Sequence, residues 1–171
     1  MKLAEFFLNL QFIYDMCKSK LLTKLNLPDY QFNIKRNEKG APVIFDMLRN
    51  RFIALSPEEW VRQNFVQFLI NEKEFPASLM GNEVSLLQNG IKRRCDTLVG
   101  DKLGNPFVIV EYKAPSIKIT QAVFDQIVRY NMVMKAQYLI VTNGLQHYCC
   151  KMLYETNSYA FLTQIPKYSQ L

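Results

Sequence analysis

Two carboxylates and a lysine are spaced so that they could hold a divalent cation. Lys92 to Val99 and Phe107 to Lys113 both read as β-strands, and Gly100-Asp101-Lys102-Leu103-Gly104-Asn105-Pro106 between them has the composition of a hairpin loop. A hairpin folded back at that loop is expected to bring Asp96 opposite Glu111. Directly opposed residues on an antiparallel pair have Cβ atoms roughly 4.5–5.5 Å apart, and like charges facing each other there repel. A hard cation such as Mg²⁺ offsets that repulsion, because it takes oxygen ligands and is held by one or two carboxylates plus waters and substrate phosphates. The two-residue period of a strand puts Lys113 on the face of Glu111. An ammonium beside two carboxylates and a metal suits phosphodiester hydrolysis, in which the metal activates a water and the lysine orients it or neutralises charge. A Glu-x-Lys triplet alone carries little weight, since about a quarter of average residues are charged.

The neighbouring elements decide whether these groups meet. Ser56-Pro57-Glu58-Glu59 is a helix start, with serine at the N-cap, proline at the first helical position and glutamate three residues after the cap. The helix is expected to run to about Glu72, with Val61, Phe65, Phe68 and Leu69 as its apolar stripe and Glu58 pairing with Arg62. Glu83 to Gln88 reads as a short strand, turned by Asn89-Gly90 into the strand that bears Asp96. Beyond Lys113, Ala114-Pro115 breaks the strand and Ile119 to Met134 reads as a second helix, its Val123, Ile127 and Met134 facing inward. Gln126 and Tyr130 are four apart on that inward face, where an unsatisfied amide would cost about 1–3 kcal/mol. Tyr138 to Thr142 is a buried-strand pattern closed by Asn143-Gly144, Leu145 to Lys151 hairpins back, and Tyr159 to Leu162 is a last strand-like stretch. Ahead of the core, Leu3 to Leu25 looks helical, and Phe32 to Lys35, Val43 to Asp46 and Arg51 to Leu55 read as short strands.

Composition bounds the chemistry. At 171 residues, with 49% hydrophobic and 21% charged, the chain supports one globular domain with a proper core. The expected division is a helical appendage over residues 1–30 and a single domain over 31–171, its core about 56–151. The net charge of +6 favours a polyanionic partner, and Lys92, Arg93 and Arg94 lie just ahead of Asp96. Four cysteines without a Cys-x-x-Cys pair make neither a disulfide framework nor a zinc site and fit a reducing, cytoplasmic setting. His147 is the single histidine, which excludes sites needing two, and reads as a packed or capping residue. No run approaches the ~18 apolar residues of a membrane span, and no Gly-x-x-x-x-Gly-Lys loop occurs, so no ATP motor is expected.

Together, the helix, the strand, the Asp-bearing strand, the Glu-x-Lys strand, the helix and the final strand follow the core order of the PD-(D/E)XK nuclease superfamily. More narrowly, the sequence resembles the N-terminal nuclease domain of the type I restriction enzyme R subunit. The resemblance covers Ser56 to Tyr148 and rests on residues 57–63 (PEEWVRQ), 94–97 (RCDT), 110–115 (VEYKAP), 125–131 (DQIVRYN) and 139–144 (LIVTNG).

The resemblance implies a restriction-endonuclease-like α/β fold, a central mixed sheet flanked by helices. It implies Asp96 and Glu111 as paired metal ligands, Lys113 as the lysine of the same motif, and Gln126 and Tyr130 as the Gln-x-x-x-Tyr element that helps position DNA. Superfamily members also carry a glutamate on the first core helix near the metal, for which Glu59 is the candidate here, although its capping position also accounts for it. The expected activity is Mg²⁺-dependent hydrolysis of DNA phosphodiesters, with Mn²⁺ as a substitute, by a domain lacking the ATP motor of its relatives. Arg93 and Arg94 would hold phosphates of double-stranded DNA, and a translocase or modification and specificity subunits would act in trans. The alternatives are a non-catalytic DNA-binding or assembly module of a restriction system and a repair or branched-DNA nuclease of the same fold.

Overall fold

The computed structural model describes residues 11, 12, 16, 21–88 and 91–171, and only the backbone of 86–88, 91–93, 129, 130, 132 and 133. Most of the expected first helix and the Asn89-Gly90 turn lie outside these residues. Leu21 to Leu25, expected to be its last turn, form a turn and an irregular segment instead. Tertiary contacts fix that segment: Trp60 donates its indole N–H to the Thr23 carbonyl at 2.9 Å, and Asn26 donates its amide to the Gly144 carbonyl at 2.8 Å.

Strands β1 (Ile34–Arg36), β2 (Pro42–Asp46) and β3 (Arg51–Ala54) make a small antiparallel sheet. Ile34, Ile44 and Ile53 lie abreast in it and pack with Leu55 and Trp60. Helix α1 (Pro57–Asn71) follows, its start fixed as the sequence predicts: Ser56 Oγ accepts the Glu59 N–H at 3.1 Å and Pro57 opens the first turn.

The main sheet contains β4 (Met80–Gln88), β5 (Ile91–Gly100), β6 (Pro106–Tyr112), β7 (Tyr138–Thr142), β8 (His147–Leu153) and β9 (Ser158–Leu162), in that spatial order. Every pair is antiparallel except β6 and β7, which are parallel and joined through helix α2 (Gln121–Met134). A parallel pair needs such a crossover, which is why a helix separates them in sequence. Along β6, Val108, Val110 and Tyr112 pack toward Val61, Phe65 and Leu69 of α1, while Ile109 packs with Phe124, Ile127 and Val128 of α2. The helices therefore cover opposite faces. All five residues of β7 are buried, which explains its unbroken apolar run. Full burial of each such side chain stabilises the fold by roughly 1.5–3 kcal/mol.

The β5–β6 connection forms the expected hairpin. Asp101 Oδ1 accepts the amides of Leu103 and Asn105, each at 2.8 Å, which closes the loop. Its register runs Val99↔Val108, Leu98↔Ile109, Thr97↔Val110, after a one-residue shift at Gly100.

Candidate active site

Three acids lie level across three adjacent strands. On β4 and β5 the pairs Asn82↔Thr97 and Val84↔Cys95 leave Glu83 and Asp96 between them, and the β5–β6 register carried one step past Thr97↔Val110 brings Asp96 level with Glu111. The ladders are irregular at this row. Glu83 has φ +58°, in the left-handed region where a non-glycine residue costs on the order of 1–3 kcal/mol. Cys95 packs beneath α2, whereas Val99 packs beneath α1 and Thr97 bonds the Tyr112 hydroxyl on that same side, so β5 changes its facing at Asp96. Where β5 and β6 part, the Asp96 side chain accepts the Tyr112 N–H through Oδ2 at 3.0 Å.

The two gaps in this row are filled differently. Between Glu83 and Asp96 sits Arg62 of α1, only 3% exposed, bonding Glu83 Oε1 at 2.5 Å and Asp96 Oδ1 at 3.2 Å. Its Nε faces Glu59 Oε2 at 3.5 Å without hydrogen-bond geometry, and its guanidinium lies 5.4 Å from the centroid of the Tyr112 ring. Arg94 also pairs with Glu83. Burial opposes the charge on Glu83, but hydrogen bonds from Arg94 and Arg62 outweigh it and hold the carboxyl below its ordinary range. Between Asp96 and Glu111 the carboxyls meet each other. Burial first, then the charge and hydrogen bond of Asp96, push Glu111 up to about 8, with Lys113 and Arg62 acting in the opposite direction.

The glutamates of α1 divide their work. Glu59 is buried, its Oε1 accepting from Gln63 at 2.8 Å and Arg49 at 3.2 Å, and Arg49 pairs in turn with the buried Asp46. Glu59 thus donates its amide to the serine cap while its side chain ties α1 to the β2–β3 turn, a use beyond the capping role. The expected pairing of Glu58 with Arg62 gives way to the i,i+3 contact of Arg62 with Glu59. Glu58 instead lies in the field of the row: burial and the charge of Asp96 raise its carboxyl, and Lys113 and Arg62 oppose them. Sequence reasoning singles out Glu59 and passes over Glu58 and Arg62. The one signal for them is their i,i+4 spacing, which suits a surface pair equally well.

A cavity of about 240 Å³ opens beside the carboxyl pair, lined by Arg94, Glu111, Lys113, Val123, Gln126 and Ile127. Lys113 is anchored through its amide, which donates to the Thr142 carbonyl at 2.9 Å. Gln126 shares this cavity with Glu111 and Lys113, but it is exposed there instead of facing the sheet, so its amide is solvated. The side chains of Tyr130, Lys92 and Arg93 lie outside the described residues. Arg94, 65% exposed, stands at the cavity edge.

The donor set suits a hard divalent cation. Two carboxyls held together at the cost of a raised Glu111 would be relieved by a cation between them, and two carboxylates with waters and substrate oxygens are a usual Mg²⁺ environment. Among the described residues no group of three or more His, Cys, Asp or Glu is arranged for a metal, so the remaining positions would fall to water, backbone or phosphate. His147 is structural: its Nδ1 contacts Thr142 Oγ1 at 2.7 Å, its Nε2 faces the Asn26 carbonyl at 3.1 Å, and it packs on Phe65 and Phe68. Cys95, Cys149 and Cys150 are free and buried, each thiol pushed up to about 12 by burial. No described helix is long and apolar enough to cross a membrane.

A family model described as "Type I restriction enzyme R protein N terminus (HSDR_N)" matches residues 57–166, more than half of the chain. Among solved structures, a fragment of an HsdR subunit of a type I restriction enzyme from Vibrio vulnificus YJ016 is similar at 18% identity and a TM-score of 0.47, over 64% of this chain and 23% of that one. This chain thus spans about a quarter of that fragment. No curated protein matches significantly.

Proposed function

The chain belongs to the family of type I restriction enzyme R protein N termini, and from that premise we propose that it carries a Mg²⁺-dependent endodeoxyribonuclease site of the PD-(D/E)XK type. The observation that carries this reading is the Asp96–Glu111 carboxyl pair, brought together at the parting of β5 and β6, with Glu111 lining a cavity that it shares with Lys113 and Gln126. Asp96 and Glu111 would hold the metal, Mg²⁺ or Mn²⁺ in its place, which when bound supplies Lewis acidity and an acidified water. Lys113, whose charge acts on both Glu111 and Glu58, orients the attacking water and offsets charge developing on the phosphate. Glu58 holds a proton more readily than an ordinary glutamate and stands on the α1 side of the same acids, where it accepts a proton or a water. Gln126 donates its amide to a phosphate at the cavity mouth, and Arg94 adds positive charge there without reading bases. Tyr130 and Arg93 join this DNA-facing group by their sequence positions. A translocase and modification or specificity subunits are the restriction-system partners that this reading implies.

Supercoiled plasmid incubated with Mg²⁺ or Mn²⁺ tests the reading against Asp96→Ala and Lys113→Ala. Metal-dependent nicking by the wild type alone supports it, and equal nicking by all three proteins removes the site assignment. One observation favours a second reading: Arg62 already gives Asp96 an internal counter-charge, as in a fold kept for docking DNA. Absence of metal-dependent cleavage, together with retained DNA binding, would select that module.

A further inference from the structure

We propose that Arg62 is the positioning residue that fixes the Asp96 carboxylate for metal binding, an inference that rests on the nuclease reading above. Asp96 is held at both oxygens, Oδ2 by the Tyr112 amide and Oδ1 by Arg62, so its carboxyl plane is set before any metal or DNA arrives. Arg62 is itself held on three sides, by Glu83 at 2.5 Å, by Glu59 at 3.5 Å and by the face of Tyr112. A planar guanidinium spans several carboxylates at fixed angles, which a lysine ammonium cannot do.

The arrangement is hard to explain as a device for stability. Buried ion pairs are often no more stabilising than apolar packing of the same volume, because desolvation cancels most of the attraction. Glu83 also carries a left-handed backbone at the residue that receives Arg62, and such strain persists where the surroundings impose it for a purpose. Held this way, Glu83 takes up one arm of the guanidinium and leaves the other for Asp96 Oδ1.

The test is Mn²⁺ binding to the whole chain without DNA, followed by the electron paramagnetic resonance signal of free Mn²⁺. It compares the wild type with Asp96→Asn, Arg62→Lys and the charge-balanced double variant Arg62→Gln/Glu83→Gln, each checked by circular dichroism and a cooperative melt. Wild type is expected to bind, Asp96→Asn to lose binding, and Arg62→Lys to bind about tenfold more weakly although its charge is kept. The double variant is expected to weaken binding to the same degree, and it carries the test if Arg62→Lys does not fold. In steady-state cleavage Arg62→Lys should lower kcat and leave KM for DNA unchanged, a split that general loosening of the fold would not produce. Wild-type affinity for Mn²⁺ in the folded Arg62 variants, with binding lost in Asp96→Asn, overturns the positioning role and leaves the metal site standing. No binding by the wild type overturns both.

Discussion

Glu111 is where pH acts on this molecule. Its carboxyl, raised from 4.5 to about 8 by burial and by Asp96, binds a proton more tightly in the folded chain than in the unfolded one. The stability tied to that proton is complete below about pH 4.5 and is lost as the pH climbs through 8. Melting in EDTA should therefore show a temperature that falls between pH 5 and pH 9, and Glu111→Gln should flatten the fall. An unchanged slope in the variant would place the titration elsewhere. On α1, Glu59→Ala removes a buried partner of Arg49 and Arg62 and should cost about 3 kcal/mol in urea unfolding. Glu58→Gln should leave unfolding nearly unchanged and slow cleavage roughly tenfold or more. Equal effects of the two on both measurements would contradict this division of roles. Asp96 and Glu111 are legible in the sequence from the loop chemistry of their hairpin, although they come level only through the one-residue shift at Gly100, without which Asp96 would face Val110. Glu58 and Arg62 are not, because one residue along a helix turns the side chain by about 100°, and the phase of α1 over the sheet is set only by packing.

At the scale of elements, the sequence locates the strands and helices well wherever capping or turn chemistry is local, as at Ser56-Pro57 and in the Asp101 loop. It misses what long-range contact decides. Leu21 to Leu25 carry a helical pattern, yet they leave the helix because Thr23 and Asn26 are tied to Trp60 and Gly144. Gly144, at φ +81°, sits so close beneath this segment that a Cβ there would lie 2.6 Å from Leu25. Gly144→Ala should destabilise the protein by about 1–3 kcal/mol, read as a lower urea midpoint with unchanged slope, and a midpoint within error of wild type would refute the close approach. The neighbouring Asn143 donates to the Ile117 carbonyl at 2.8 Å and accepts the amides of Leu145 and Gln146, which fastens the segment after Lys113 to the β7–β8 turn. The Asn-Gly pair of the resemblance therefore has a structural duty one step removed from the carboxyls.

For the whole molecule, the net charge of +6 favours a polyanionic partner, the part that the proposed function gives to DNA. Changing Lys92, Arg93 and Arg94 to alanine should weaken DNA binding and reduce the slope of log affinity against log salt by roughly 1–3, about 0.9 for each phosphate no longer neutralised. An unchanged slope by fluorescence anisotropy would leave these three as solvated surface. The mixed α/β architecture can be read from the order of periodic segments, whereas the addition of Glu83 to Asp96 and Glu111 cannot, since it joins a third strand through an irregularity no local pattern announces. The claim that this row is a nuclease centre meets its most direct test in single-turnover nicking of supercoiled DNA by wild type and Glu111→Gln, purified alike, in Mg²⁺ and in EDTA. The expected result is cleavage by wild type in Mg²⁺ only, with the variant slowed at least about 100-fold. Cleavage by Glu111→Gln at the wild-type rate, or cleavage indifferent to EDTA, would contradict it.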